Sequence, residues 1–100
     1  MEKVAGIVVT RHPALVEYLR QHGYLDGDVE VREHVTAEDV RGRDVIGVLP
    51  LHLAAEAASV TEVPLAVTPD MRGRELTLAE VERIAGHPRR YVVRVVEEEP

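Results

Sequence analysis

The feature that most constrains this chain is its first strand-to-helix passage. Val4 to Val9 is a near-continuous apolar run that stops at Thr10-Arg11-His12-Pro13, and a helical pattern follows from Ala14 to Gln21. A segment apolar at successive positions is buried on both faces, which places residues 3–9 at the centre of a parallel sheet. Pro13 suits the first helical position, where its missing N–H is an orphan in any case. The turn makes a small polar platform, with a hydroxyl from Thr10, a fixed cation from Arg11 and a titratable ring from His12. The free N–H groups of the helix start add a partial positive charge. Such a platform favours an anion, a phosphate above all. Capping alone also accounts for a Thr and a Pro at such a turn.

The rest of the chain repeats the alternation. Helix one runs from about Pro13 to His22, with Leu15, Tyr18, Leu19 and His22 as its inward stripe and Gly23 as its stop. Residues 29–35 alternate, with Val29, Val31 and Glu33 opposite Glu30, Arg32 and His34, as an edge or half-exposed strand does. Thr36-Ala37-Glu38-Asp39 starts a short helical turn, and Arg41-Gly42-Arg43-Asp44 is a surface turn. Val45 to Leu49 is a second buried strand, closed by Pro50, and Leu51 to Ser59 is an Ala-rich helix. Val63 to Val67 is the fourth strand, with Pro64 near its start. Thr68 to Glu75 is a polar loop, Thr77-Leu78-Ala79-Glu80 is a capping box, and its helix reaches about Ala85 with Leu78, Val81 and Ile84 inward. Tyr91 to Val96 is the last strand, and Glu97-Glu98-Glu99-Pro100 is a solvated tail. This pattern predicts one α/β domain over residues 1–100, a three-layer sandwich with a mainly parallel five-stranded sheet in the order 2-1-3-4-5.

Composition narrows the chemistry. There is no cysteine, which excludes a disulfide scaffold, a thiol nucleophile and a cysteine zinc site, and fits a reducing cytoplasm. No apolar run approaches membrane-spanning length, and the first residues lack a signal-peptide pattern, so a cytoplasmic protein without a membrane partner is expected. The net charge of −6 argues against duplex DNA as a partner. Lys3 is the only lysine, so the remaining positive charge is Arg, which binds phosphate bidentately. No HxxxH, HxxE or paired-carboxylate spacing suggests a metal, and no GxGxxG, Walker or Gly-x-Ser-x-Gly pattern suggests a nucleotide cofactor or a serine nucleophile. No cofactor is expected.

In a sheet of this order, ligands bind beyond the carboxyl ends of the strands, at the switch point between the first and third. Thr10-Arg11-His12-Pro13 and Leu49-Pro50-Leu51-His52 end those two strands, and Thr68, Asp70, Arg72 and Arg74 lie on the loop after the fourth. His52 reads equally as a surface residue in the first turn of an Ala-rich helix, and Arg72-Gly73-Arg74 equally as a solvated turn. His22, His34 and His87 read as surface or helix-end residues.

Three stretches carry a resemblance: Val9-Thr10-Arg11-His12-Pro13, Gly47-Val48-Leu49-Pro50-Leu51-His52-Leu53-Ala54, and Arg72-Gly73-Arg74-Glu75-Leu76-Thr77. In order and spacing the chain resembles a small CRISPR-associated family found beside type III systems, the Rossmann-like ring nucleases. It departs at Tyr18, where the family pattern leads one to expect an aromatic such as Trp, and the resemblance fades beyond Ala85. The resemblance implies an antiviral-defence hydrolase. It would cleave cyclic oligoadenylate, chiefly cyclic tetra-adenylate, without a metal, and so switch off CRISPR signalling. In that reaction a ribose 2′-OH attacks the adjacent phosphorus in line and leaves a 2′,3′-cyclic phosphate. The expected catalytic residues are Arg11, His12 and His52. Thr10, Pro50, Leu51, Thr68, Arg72 and Arg74 are expected to bind ligand. Arg and helix N-terminal amides can stabilise the developing charge, and a His near a helix N-terminus can serve as base. The four-fold phosphate ring matches a two-fold homodimer. The alternatives are a protein that sequesters the cyclic nucleotide uncut, and a CRISPR-associated interaction subunit with no ligand.

Overall fold

The computed structural model describes residues 6–25 and 28–98. Val4 and Ala5, where the first apolar run begins, lie outside the described residues. Among the described residues strands and helices alternate as β1 (Gly6–Val9), α1 (Pro13–Gln21), β2 (Glu30–Arg32), α2 (Ala37–Val40), β3 (Asp44–Gly47), α3 (Leu51–Ala54), β4 (Ser59–Glu62), α4 (Leu78–Ile84) and β5 (Arg89–Tyr91), with a 3₁₀ turn at Pro69–Met71. The five strands form one sheet in the order β2-β1-β3-β4-β5. The first four are parallel, and β5 runs antiparallel to β4. The fold is thus an α/β, Rossmann-like sandwich with a mainly parallel sheet. As expected, β1 and β3 are neighbours, with Val9 level with Gly47.

Alternation along the two central strands divides the core. Val8 and Ile46 face one side, where Leu15, Tyr18 and Leu19 of α1 and Val81 of α4 cover them. Ile7, Val9 and Val45 face the other, against Val40 of α2, Ala54 of α3 and Ala57. With no Phe or Trp in the chain, both layers are built from β-branched, Leu and Ala side chains, and each large one fully buried contributes about 1.5–3 kcal/mol. Leu78 and Ile84 of α4 are only partly buried but pack on the first layer.

Helix ends follow the sequence signals. The N–H of Gly23 bonds the Arg20 carbonyl at 3.2 Å and that of Tyr24 bonds the Leu19 carbonyl at 2.9 Å, the paired bonds of a Schellman stop, with Gly23 at φ +78°. His22, expected on the inward stripe, is instead the exposed C-cap of α1. Its ring lies against Tyr18, with centroids 4.2 Å apart. Thr36 and Thr77 each head a capping box, with Asp39 and Glu80 returning the bond.

Several element positions differ from the expectation. The third strand ends at Gly47, leaving Val48 exposed and Leu49 half-buried. The second pairs only over Glu30–Arg32. The Ala-rich helix expected over Leu51 to Ser59 lasts one turn. Its continuation bends onto the start of β3, where Ala58 N–H bonds the Arg43 carbonyl at 2.8 Å and Gly42 N–H bonds the Glu56 carbonyl at 3.1 Å. That bend lets β4 begin at Ser59, four residues before the predicted Val63. Val63 to Val67 lies outside the sheet ladder and docks on the end of α4, through an isolated bridge from Leu65 to Ala85, the Ala66 N–H to the Ile84 carbonyl at 3.1 Å and the Gly86 N–H to the Pro64 carbonyl at 2.7 Å. The final strand is Arg89–Tyr91 rather than Tyr91 to Val96. A polar clasp accounts for its register. Ser59 Oγ donates to Asp44 Oδ1 at 2.6 Å, and Arg90 reaches both, through Nε to Ser59 Oγ at 3.1 Å and through its terminal nitrogen to Asp44 at 3.2 Å.

Candidate functional site

The carboxyl ends of β1 and β2 open onto the same edge of the sheet. Thr10 extends the ladder by one bond, its N–H to the Arg32 carbonyl at 2.9 Å. The chain then turns, and His12 N–H donates to Thr10 Oγ1 at 3.1 Å. His12 is the N-cap of α1 in extended conformation, its side chain makes no capping bond, and Pro13 follows at the helix start. The His12 side chain is thereby left for another use. Its Nδ1 is buried and has no hydrogen-bond partner, a condition that a polar atom in a folded protein seldom tolerates without reason.

Two clefts meet at this turn. The larger, about 700 Å³, is lined by Arg11, His12 and Pro13 on one side and by Met71, Arg72, Gly73, Arg74, Glu75 and Leu76 on the other, with Glu33 and Val67 between. The smaller, about 440 Å³, is lined by Val9, Thr10, Arg11, His12, Glu33, His34, Val48 and Leu65. Arg11, His12 and Glu33 belong to both. These volumes are in the range of pockets that hold small organic ligands. The structure therefore brings Arg11 and His12 together with Arg72 and Arg74, and sets Thr10 in the adjoining cleft. Pro50, Leu51, His52 and Thr68 line neither cleft. The first three lie exposed at the turn into α3. Thr68 caps the 3₁₀ turn, where its hydroxyl donates to Asp70.

The three arginines of the larger cleft are not equivalent. Arg74 is spoken for: its guanidinium grips Glu80 at 2.9 and 2.6 Å and its Nε donates to the Asp70 carbonyl at 3.2 Å. It braces the 68–76 loop against the start of α4. Arg11 and Arg72 have no side-chain ion pair among the described residues. These two guanidinium groups line the same cleft as the carboxylates of Glu33 and Glu75. Among the described residues no group of three or more His, Cys, Asp or Glu side chains is placed to hold a metal ion, and no helix is long and apolar enough to cross a membrane.

His34 is exposed, as its surface placement in the sequence implies, and with Glu33 it also lines the smaller cleft, which no local motif announces. Beyond Arg32 the strand has ended, and face no longer determines direction. The available signal was the strand order itself, because a second strand beside the first must deliver its following residues to the same edge.

The brace has a measurable consequence. Arg74, and next the Thr77 N–H, hold the Glu80 carboxyl down to about 2, below its ordinary 4.5. The folded chain thus binds fewer protons at Glu80 than the unfolded chain does between those values. Its stabilisation is complete above about pH 4.5 and is lost as pH falls toward 2. Glu80→Gln keeps a residue able to close the capping box but removes the charge. Melting temperatures of wild type and Glu80→Gln should differ at neutral pH and converge as the pH is lowered through that window. A constant gap across it would show that the ion pair contributes nothing.

Residues 7–94 match the family model described as "Putative CRISPR-associated protein (Cas_VVA1548)". The match runs past Ala85, where the resemblance in the sequence faded, and takes in β5. No curated protein and no solved structure gives a significant match. A match across both central strands, the cleft and the last strand is enough to place the chain, which belongs to this family of CRISPR-associated proteins.

Proposed function

We propose that the protein is a metal-independent ring nuclease that cleaves cyclic oligoadenylate, chiefly cyclic tetra-adenylate, and so switches off type III CRISPR signalling. The observation that carries this reading is the convergence of Arg11 and His12, at the start of α1, with the unpaired Arg72 on one cleft beyond the carboxyl ends of the parallel strands. The family, CRISPR-associated, agrees with it. Arg11 holds the scissile phosphate and neutralises the charge that develops on it. Arg72 takes a neighbouring phosphate of the ring. His12 accepts the proton of the 2′-OH as that oxygen attacks phosphorus. The bond from phosphorus to the 5′-oxygen breaks, leaving a 2′,3′-cyclic phosphate and a 5′-hydroxyl. Positioning and charge stabilisation supply most of the acceleration in such a step. His52, the other histidine expected to serve as base, stands outside both clefts.

The test is incubation of the protein with cyclic tetra-adenylate in EDTA, resolved by chromatography. Linear products ending in 2′,3′-cyclic phosphate are expected, at a rate the chelator does not change. Tight binding without product would make the protein a sequestering one. Neither binding nor product would leave an interaction subunit. Loss of activity in EDTA, restored by a divalent ion, would overturn the mechanism.

The reading also calls for a homodimer. One cleft offers two unpaired cations to a ring of four phosphates, and a two-fold axis supplies a second set. Val48, in the wall of the smaller cleft, and Leu51, at the turn into α3, are 69% and 75% exposed, apolar surface that a second copy can cover. Sedimentation at micromolar concentration should give the dimer mass, and a monomer with and without the nucleotide would refute it.

A further inference from the structure

The smaller cleft holds a second histidine. Resting on the cleavage reading above, we propose that His34 is the general acid of the reaction, giving the leaving 5′-oxygen its proton while His12 takes the proton of the 2′-OH. The placement follows from strand pairing. Val9 lies level with Arg32 and the Thr10 N–H bonds the Arg32 carbonyl at 2.9 Å, so the two parallel strands release Arg11 and His34 at the same edge of the sheet. His12 is delivered by the β1–α1 turn and His34 by the segment that leaves β2. Both line the cleft of about 440 Å³ together with Arg11 and Glu33. His34 makes no side-chain hydrogen bond among the described residues, and Nδ1 of His12 has no partner.

In-line displacement at phosphorus demands this division. The attacking and leaving oxygens occupy opposite apices, so one side chain cannot serve both, and a base and an acid must approach from two walls. An unprotonated 5′-alkoxide is a poor leaving group, and an arginine on the phosphate does not protonate it. The step balances without a co-reactant. The 2′-O–H bond breaks and the 2′-O–P bond forms, while the P–O5′ bond breaks and the O5′–H bond forms. His12 ends one proton richer and His34 one poorer, and exchange with water through the open cleft resets both.

A bridging sulfur separates the roles, because a 5′-thiolate leaves without protonation. The probes are cyclic tetra-adenylate and its analogue with sulfur in place of one bridging 5′-oxygen, each assayed in single turnover. His34→Ala should lower cleavage of the all-oxygen ring by about 10²–10⁴-fold and cleave the sulfur-bridged linkage at close to the wild-type rate. His12→Ala should be slow on both. His34 is exposed, so the variant should keep the wild-type circular dichroism and melting temperature. Wild-type rates for His34→Ala on the all-oxygen ring would overturn the assignment and leave the ring-nuclease reading intact. A loss on both substrates would also overturn it, making His34 a positioning residue. Failure of the wild-type protein to cleave either ring would overturn the ring-nuclease reading itself.

Discussion

Arg11→Ala is expected to lower single-turnover cleavage of cyclic tetra-adenylate by at least about 100-fold, and to weaken binding of the ring as well. Removing one donor aimed at developing charge costs about 10²–10³ in rate, or about 2.7–4 kcal/mol of barrier. Arg11 is the residue best placed for such a loss. It lines both clefts, it is exposed, and it forms no ion pair among the described residues. Truncating it therefore strands none of them, and the melting temperature should stay within a few degrees of wild type. That separation of activity from stability is the useful part of the experiment. Arg74→Ala provides the contrast, since it strands Glu80 and should lower stability along with activity. Rates and melting curves measured together distinguish the two. An Arg11→Ala protein that cleaves at the wild-type rate would make the platform structural and turn attention to Arg72.

Gly47→Ala is expected to have the largest effect on folding. Gly47 ends β3 level with Val9, at φ +144°, and a Cβ there would collide with the Val9 carbonyl oxygen. Neither atom can move cheaply, because both belong to the backbone of the two central strands. The collision and the disallowed dihedral together should cost more than about 4 kcal/mol, a large share of the stability of a domain this size. A thermal melt followed by circular dichroism should show the midpoint lowered by more than about 15 °C, or no folded state. Gly42→Ala is the control. Its φ is +68°, but nothing lies within 4 Å of an added Cβ, so only the dihedral penalty of about 1–2 kcal/mol remains. Equal melting temperatures for the two variants would show that the strands do not approach as closely as described.

The parts of the fold legible in the sequence were those written in backbone chemistry. Pro13 and Gly23 bracket α1, the Thr77 capping box starts α4, and the apolar runs around Ile7 and Val45 identify the strands that pair at the centre. What stayed hidden was where two adjacent elements divide. Ala54 to Ala58 suits a helix at every position, and only the docking of Gly42 and Ala58 against neighbouring backbone ends it early. The valines on either side of Arg94, from Val92 to Val96, favour a strand by propensity, yet the pairing of Arg90 with Asp44 and Ser59, which lie far off in the chain, fixes β5 earlier. The site was half legible for the same reason. Arg11 and His12 announce themselves beside a strand end, whereas Glu33 and His34 gain meaning only once β2 is known to lie beside β1. That Arg74 is engaged and Arg72 is not could not be read from Arg72-Gly73-Arg74.

The engagement of Arg74 bears on how quickly a ligand can be caught. The segment that carries Arg72 is closed at both ends, by the 3₁₀ turn at Pro69–Met71 and by the grip on Glu80, and Met71 and Leu76 are buried beneath it. Its shape is settled during folding, so an arriving anion does not have to select it from a disordered loop. The ordering entropy that a flexible phosphate-binding loop surrenders at each encounter has here been surrendered once. On the proposed reading, capture of the ring then does not wait on a slow rearrangement of this loop.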